Sequence, residues 1–491
     1  MTTSARPTEP AADVSHETPN RRKLTVNYLL LVVGESFGKL CTLVAFVYLG
    51  RILGPERYGS LEFAWATMVF FIIPVDLGLG DYGAREFAIH RDDAEDLLRQ
   101  LSALRMLLAS FSFLVLVLVI FCLPSHPEVK FLLLFYGLSL FVEPLLVTWF
   151  FQGRDEMHWV ALANLTRKMA FASFVLLLVR SNRSLGWAGI CELGSVMVMA
   201  AVCMGVLRWR FGFAVPRPWY QLSSLKRHFY RSFPMGLSHL AWAVLWHFAT
   251  MFMGWLSDGL ELGWFGASHR IIMALHTFVW LYFYNLLPSF TRGVSRADHE
   301  LSDLASVSLG ITAWGGIFIA IVLTLLGNDL LRVAYDARYE GGGCSLSILG
   351  WLIPITLVNG HYRYLLIASH KQHLDLVSAT AAAISVILLC FILIPRYGAA
   401  GASAALVAAN LVYFAFACSF LNFFVFKLSC HRQLFFPIIG AFISIAVFKL
   451  LPEWGPWLSG VASALVYLFL FAIWANREIR RNTPPLLTSK I

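Results

Sequence analysis

The chain has 491 residues, 58% of them hydrophobic and only 14% charged, with a mean hydropathy of +0.69. A soluble globular chain carries about 25% charged residues, so the composition excludes that class and points to an all-α polytopic membrane protein. The net charge of +9 does not point to nucleic acid: no basic stretch interleaved with aromatics lies in a soluble segment long enough to fold, and surplus Lys and Arg mark the cytoplasmic loops of membrane proteins.

Residues 1–20 are polar and rich in Pro, Thr, Ala and Glu, the composition of a disordered tail, and the tail is taken to run to residue 23. After "RRK" the first apolar run begins near Asn27 and continues for about 22 residues, too long for the core of a signal peptide and long enough to span. Fourteen candidate spans follow in order: 28–49, 61–80, 103–123, 131–151, 160–179, 185–207, 233–256, 264–287, 305–327, 345–368, 374–395, 400–421, 434–451 and 457–475. With the N-terminus in the cytoplasm, and Arg105, Arg167, Lys168 and Lys449 counted with the loops that flank their spans, 26 of the 38 Lys and Arg fall on inner segments, 9 on outer ones and three (Lys39, Arg270, Arg363) remain within spans. That bias predicts cytoplasmic ends and an even number of helices.

The longest connection, residues 208–231, carries six Lys and Arg. It divides an N-terminal lobe over 24–207 from a C-terminal lobe over 232–421, with two added helices over 434–475 and a cytoplasmic tail over 476–491. "LGPERYGSLEFA" after the first span and "LSDGLELGWFGA" after the seventh suggest parallel repeats, two six-helix lobes around a central cavity. No connection is long enough to fold into a catalytic domain, so function must lie among the helices.

Ionisable residues inside spans disfavour insertion by about 2.5–3.5 kcal/mol each and normally face protein or a wet cavity. In "GESFGKL" Glu35 precedes Lys39 by one helical turn, the favourable order for an intrahelical pair. Two readings stay open: a self-neutralised pair that eases insertion, or a substrate site near the midplane. Gly34, Gly38, Cys41 and Ala45 form a small-residue stripe beside the charged face, suited to close helix packing. Arg270 lies about two turns into the eighth span, a depth that favours a cavity position over snorkelling. Arg363, near the inner end of the tenth span, reaches the interface more easily. The acids Glu62, Asp76, Glu143 and Glu192 are expected to pair with these cations or to bind a coupling proton or Na⁺. Pro144, directly after Glu143, removes an N–H and bends its helix. His239, His247, His276 and His361 read as interhelical hydrogen-bonding residues.

Eight scattered cysteines form no C-x-x-C, so neither a disulfide framework nor a metal site is expected. No P-loop, Rossmann fingerprint, H-E-x-x-H or G-x-S-x-G occurs. No cofactor is expected beyond the coupling ion.

Four segments carry a resemblance. "RILGPERYG" at 51–59, "DLGLGDYGARE" at 76–86, "WFFQGRDEMHW" at 149–159 and "PRYGAAGASAA" at 395–405 are similar, in order and topological place, to loops of the polysaccharide flippases. These are bacterial proteins, of O-antigen and exopolysaccharide type, of the multidrug/oligosaccharidyl-lipid/polysaccharide exporter superfamily. The resemblance covers about residues 24–475. It implies a multi-pass protein of the bacterial inner membrane, not an enzyme, that moves oligosaccharide on undecaprenyl pyrophosphate to the outer leaflet by alternating access. Its partners would be that lipid-linked oligosaccharide, membrane lipids and other polysaccharide-assembly membrane proteins. Lys39, Arg270 and Arg363 are then the candidate pyrophosphate ligands, and Glu35, Asp76 and Glu143 the candidate pairing or ion-coupling acids. The alternatives are a cation-coupled multidrug exporter of the same superfamily and a peptidoglycan-precursor flippase.

Overall fold

A computed structural model describes residues 21–482 apart from 91–92, 124–125, 182–184, 214–220, 257–258, 297–298 and 429. The expected N-terminal tail, the end of the C-terminal tail and the middle of the basic linker therefore lie outside the described residues. The described chain is helical from end to end: α1 (Arg21–Asp76), α2 (Leu79–Ile89), α3 (Ala94–Cys122), α4 (Pro127–Ser139), α5 (Thr148–Gly153), α6 (Met157–Leu178), α7 (Leu185–Phe211), α8 (Leu222–Leu256), α9 (Gly259–Arg296), α10 (His299–Leu325), α11 (Gly327–Ala334), α12 (Gly343–Gly350), α13 (Leu352–Ala368), α14 (Gln372–Phe424), α15 (His431–Leu450) and α16 (Gly455–Asn482).

Eleven helical stretches among the described residues are long and apolar enough to cross a membrane. The two longest, Gly34–Ile89 with 56 residues and Gln372–Phe424 with 53, would each measure about 80 Å if straight, far beyond the roughly 30 Å of a hydrocarbon core. Each is broken inside. At Gly54 the backbone takes φ 74° and at Gly398 φ 52°, a region glycine enters without steric penalty. Pro55 follows the first break directly. Each long helix is therefore two spans joined at a glycine, as the separate expected segments on either side of these points require. The turn anticipated at Pro144 is also present: α4 ends at Ser139, a 3₁₀ turn covers Glu143–Leu145, and α5 starts at Thr148.

An apolar cluster extends from Ala45 and Leu49 on α1 through Phe265 on α9 to Ala409 and Leu421 on α14. A second gathers α2, α3, α5 and the C-terminal half of α7 around Phe87, Leu101 and Phe150. A third joins α10 to α15 and α16 through Trp314, Ala441 and Tyr467. The last two helices thus pack on α10, outside the larger cluster.

Two clasps lie at opposite ends of the second half of α1. At the Gly54 end, Arg51 donates from Nε to the Ala334 carbonyl at 2.8 Å and from Nη2 to the Val333 carbonyl at 2.6 Å. Arg338 returns a bond from Nη2 to the Arg51 carbonyl at 2.7 Å, and the Tyr339 hydroxyl donates to the Gly50 carbonyl at 2.9 Å. Gly263 on α9 sits against the Pro55 carbonyl so closely that a Cβ would overlap it. Gly263→Ala is expected to lower stability by about 1–3 kcal/mol, the usual cost of overpacking, read as a lower thermal unfolding midpoint in detergent.

At the Gly78 end, Tyr82 Oη meets His228 Nδ1 at 3.0 Å, His228 Nε2 meets Gln100 Oε1 at 2.7 Å, and His239 Nε2 meets Asp81 at 3.2 Å. Gly236 on α8 packs directly on the backbone of Leu77.

The first clasp has a pH-sensitive member. Burial pushes the Asp336 carboxyl up, but hydrogen bonds from the Arg338 side chain and backbone more than offset it, leaving its pKa below the ordinary aspartate value. A lowered carboxylate stabilises the fold above its unfolded pKa and loses that contribution as pH falls through the folded one. Wild type is therefore expected to unfold at a higher temperature than Asp336→Asn near neutral pH. The gap should close below pH about 4. The pair is exposed, so the difference is expected to be under about 1 kcal/mol.

Candidate functional site

Between the clasps, α1, α4, α6, α7, α8 and α9 surround a cavity of about 320 Å³. Its charged lining is Lys39, Arg167, Lys168 and Arg270 against Glu62 and Glu192, four cations to two acids. Neutral polar groups complete it, among them Thr42, Ser139, Asn164, Thr250 and His269. Thr250 Oγ1 and His269 Nε2 are buried and lack a hydrogen-bond partner. Such groups favour a ligand that brings donors and acceptors of its own.

The pairing inside the cavity differs from the sequence expectation at its central point. Glu35 does not neutralise Lys39. It accepts from Lys168 Nζ on α6 at 2.5 Å, and no ion pair among the described residues includes Lys39. The cause is local. Gly38 lies between the two residues on α1, and a Cβ there would stand 2.5 Å from Lys168 Cδ. The glycine opens a path for the Lys168 stem across the face of α1 to Glu35, so a tertiary pair displaces the intrahelical one. The small-residue stripe is in part a passage for a side chain.

Arg270 does line the cavity, as expected, and its partner is Glu62. Nε and Nη2 reach the two carboxylate oxygens at 3.0 and 2.6 Å. The side chains are 15% and 4% exposed. The guanidinium also lies 3.6 Å from the Phe46 ring centroid. A bidentate pair is the strongest geometry available to an Arg, so Arg270 is held by protein on two sides. Arg167 Nη2 donates to Glu192 at 2.7 Å.

The other anticipated site residues lie elsewhere. Arg363 does not share the cavity with Lys39 and Arg270: it stands 3.6 Å from Asp375 and 4.2 Å from the Trp242 ring centroid. Asp375, on the first turn of α14, holds it within the C-terminal half, outside the residues that line this cavity. Asp76 pairs with Arg105 and has His239 Nδ1 at 4.0 Å, so neither Lys39 nor Arg270 is its partner. Glu143, in the turn between α4 and α5, lies in the field of Arg167 and Arg105. Of the six anticipated site residues, Lys39 and Arg270 line the cavity and Glu35 acts at its edge through Lys168.

Arg167 and Lys168 are the functional candidates that the charge count missed, because it assigned both to the inner flank of a span that opens with polar residues. Arg167 is ten residues past Met157, the start of α6, about 15 Å along the helix. The signal was present in sequence: a basic pair embedded in an otherwise apolar run. The histidines do serve as interhelical links where partners are described. His361 Nε2 meets Ser308 at 2.8 Å, and Ser308 meets Tyr282 Oη at 2.6 Å, tying α13, α10 and α9. The eight cysteines are free. Among the described residues no cluster of three or more His, Cys, Asp or Glu could hold a metal.

Comparison with known proteins agrees with this architecture. Residues 24–294 match the model of the family described as polysaccharide biosynthesis protein. A curated relative, the "Putative O-antigen transporter" of Escherichia coli (strain K12), is 22% identical over 400 residues, 79% of this chain and 94% of its own. Among solved structures, the inward closed conformation of the lipid II flippase MurJ aligns with TM-score 0.73 at 15% identity, covering 92% of this chain and all of that one. An inward-facing multidrug transporter of the MATE family, of the MOP superfamily, aligns with TM-score 0.64 at 12% identity over 78% of this chain and 94% of its own. The multidrug transporter DinF-BH aligns with TM-score 0.60 at 16% identity over 87% of this chain and all of its own. The family model covers more than half of the chain: it belongs to the polysaccharide biosynthesis protein family, as a multi-pass membrane protein.

Proposed function

We propose that the protein carries lipid-linked oligosaccharide repeat units, on undecaprenyl pyrophosphate, from the cytoplasmic to the outer leaflet of the bacterial inner membrane. The observation that carries this reading is the charge balance of the cavity: three of its four cations are paired, with Glu35, Glu192 and Glu62, and Lys39 is outside every described ion pair. A pyrophosphate headgroup needs fixed cations in a wet site, and Lys39 supplies one without breaking an existing pair. The neutral polar lining suits sugar hydroxyls, while the polyprenyl tail stays in lipid. A cavity of about 320 Å³ lies at the small end of ligand pockets; it takes the pyrophosphate and the first sugar, and longer glycans require it to widen.

The mechanism proposed is alternating access of two lobes, 24–207 and 232–421, with both termini cytoplasmic. The two clasps are the gates: release of the Arg51–Arg338 clasp opens the cavity outward, and release of the Tyr82–His228 and Asp81–His239 clasp opens it inward. Energy comes from an H⁺ or Na⁺ gradient, the membrane potential or consumption of the product. The excess of cations disfavours a cationic-drug exporter, which needs acids in command of its cavity.

Reconstitution tests the reading. Vesicles containing the protein are expected to expose an undecaprenyl-pyrophosphate-linked repeat unit to an outer-leaflet glycosidase faster than protein-free vesicles, with no efflux of an organic cation. Efflux of the cation without exposure of the glycolipid would sink it.

A further inference from the structure

A second cavity, of about 380 Å³, lies between α10, α15 and α16, away from the central one. At one end stand Arg432, on the first turn of α15, and Arg477, near the end of α16. Both are exposed, neither belongs to an ion pair among the described residues, and no acid lines the cavity. Gln433 beside them has a buried Oε1 without a hydrogen-bond partner. Below them the lining turns apolar. Trp314, 3% exposed, forms the floor, which Gly440 allows by placing no side chain against its ring. Phe436, Ile439 and Ile443 of α15 and Leu470 and Ile473 of α16 form the walls.

We propose that this groove seats an anionic phospholipid of the phosphatidylglycerol type. Charge complementarity selects the headgroup: two uncompensated guanidiniums converge at the mouth, and Arg binds phosphate oxygens bidentately. The unpartnered Gln433 Oε1 is an acceptor that a glycerol hydroxyl satisfies and a choline does not. Length selects the tail. From Arg432 to Ile443 the helix rises about 16 Å, half of a hydrocarbon core of roughly 30 Å, the depth of one acyl chain in one leaflet. In the proposed orientation the mouth faces the cytoplasm, where juxtamembrane cations meet anionic lipid. The added helices α15 and α16 then form, with α10, a lipid-reading edge of the transporter, separate from the transport cavity.

The test uses the full-length protein in neutral detergent and reads the thermal unfolding midpoint during titration with phosphatidylglycerol or phosphatidylcholine in mixed micelles. The midpoint is expected to rise with phosphatidylglycerol and not with phosphatidylcholine. Arg432→Gln with Arg477→Gln is expected to raise the phosphatidylglycerol concentration for half effect about 30-fold, with the lipid-free midpoint close to wild type because both residues are exposed. Arg432→Lys with Arg477→Lys should retain most of the response. Ile443→Trp, which fills the apolar end and keeps both arginines, should weaken it as well and serves if the double glutamine variant does not fold. Equal stabilisation by the two phospholipids, or an unchanged response in the glutamine variant, would overturn the proposal. So would a response to undecaprenyl phosphate at lower concentration than to phosphatidylglycerol, lost in the same variant, because the groove would then belong to a transported lipid.

Discussion

Arg270→Ala is expected to lose about 3–5 kcal/mol of stability, the cost of stranding a buried charge. Glu62, 4% exposed, would keep a carboxylate without its guanidinium partner. The change also removes the cation from the Phe46 ring, 3.6 Å from its centroid, a contact of about 0.5–2 kcal/mol. The decisive comparison is the double variant Glu62→Leu with Arg270→Met. Replacing both members of a buried pair by apolar groups of similar size is often neutral or stabilising, so the double variant should unfold close to wild type while the single one does not. Thermal unfolding in detergent reads both. An Arg270→Ala protein as stable as wild type would mean that the pair does not hold α1 to α9. The comparison also separates two causes of lost transport, since inactivity of a stable double variant places the Glu62–Arg270 pair in transport itself.

Lys39→Ala is expected to behave in the opposite way, with stability kept and transport lost. No described ion pair depends on Lys39, so its removal strands no partner. If it binds the pyrophosphate, truncation costs one charge-assisted interaction of about 1.5–3 kcal/mol, roughly 10- to 150-fold in substrate affinity. Lys39→Arg should retain much of the function because the charge remains in the cavity. Complementation of a strain lacking its polysaccharide flippase, scored by surface polysaccharide at matched protein level, reads the series. Glu35→Gln is informative beside it: freeing Lys168 adds a second unpaired ammonium, and the variant should hold its substrate more tightly and release it more slowly. Full complementation by Lys39→Ala would remove this residue from the site.

The class and the helical layout were legible in the sequence because both rest on local quantities. Insertion into a bilayer depends on apolar length, and the expected segments fall mainly on helix. The breaks between paired spans were marked by chemistry that acts within one or two residues: Gly54 before Pro55, Gly398 after Pro395, and Pro144 after Glu143. Loop motifs sufficed for the family, since their order along the chain is itself one-dimensional information.

Charge pairing was not legible, because it is decided across helices. Sequence spacing made Glu35 the natural partner of Lys39, four residues on; the fold brought Lys168 from 133 residues away to 2.5 Å, and an interhelical contact at that distance displaces a flexible pair one turn apart. Glu62 and Arg270, separated by 208 residues, could be named as charges in spans but not joined. Arg167 and Lys168 were hidden because the charge count placed both with the inner loop, although the expected span 160–179 contains them. The sequence by itself determined a polytopic helical membrane protein with costly charges buried in it, since bilayer insertion and chain order are properties of the chain alone. Only the tertiary structure decided which charges neutralise one another and which one, Lys39, stays outside the described ion pairs, because the energy of an ion pair depends on distance and solvent exposure, and both are set by how the helices pack.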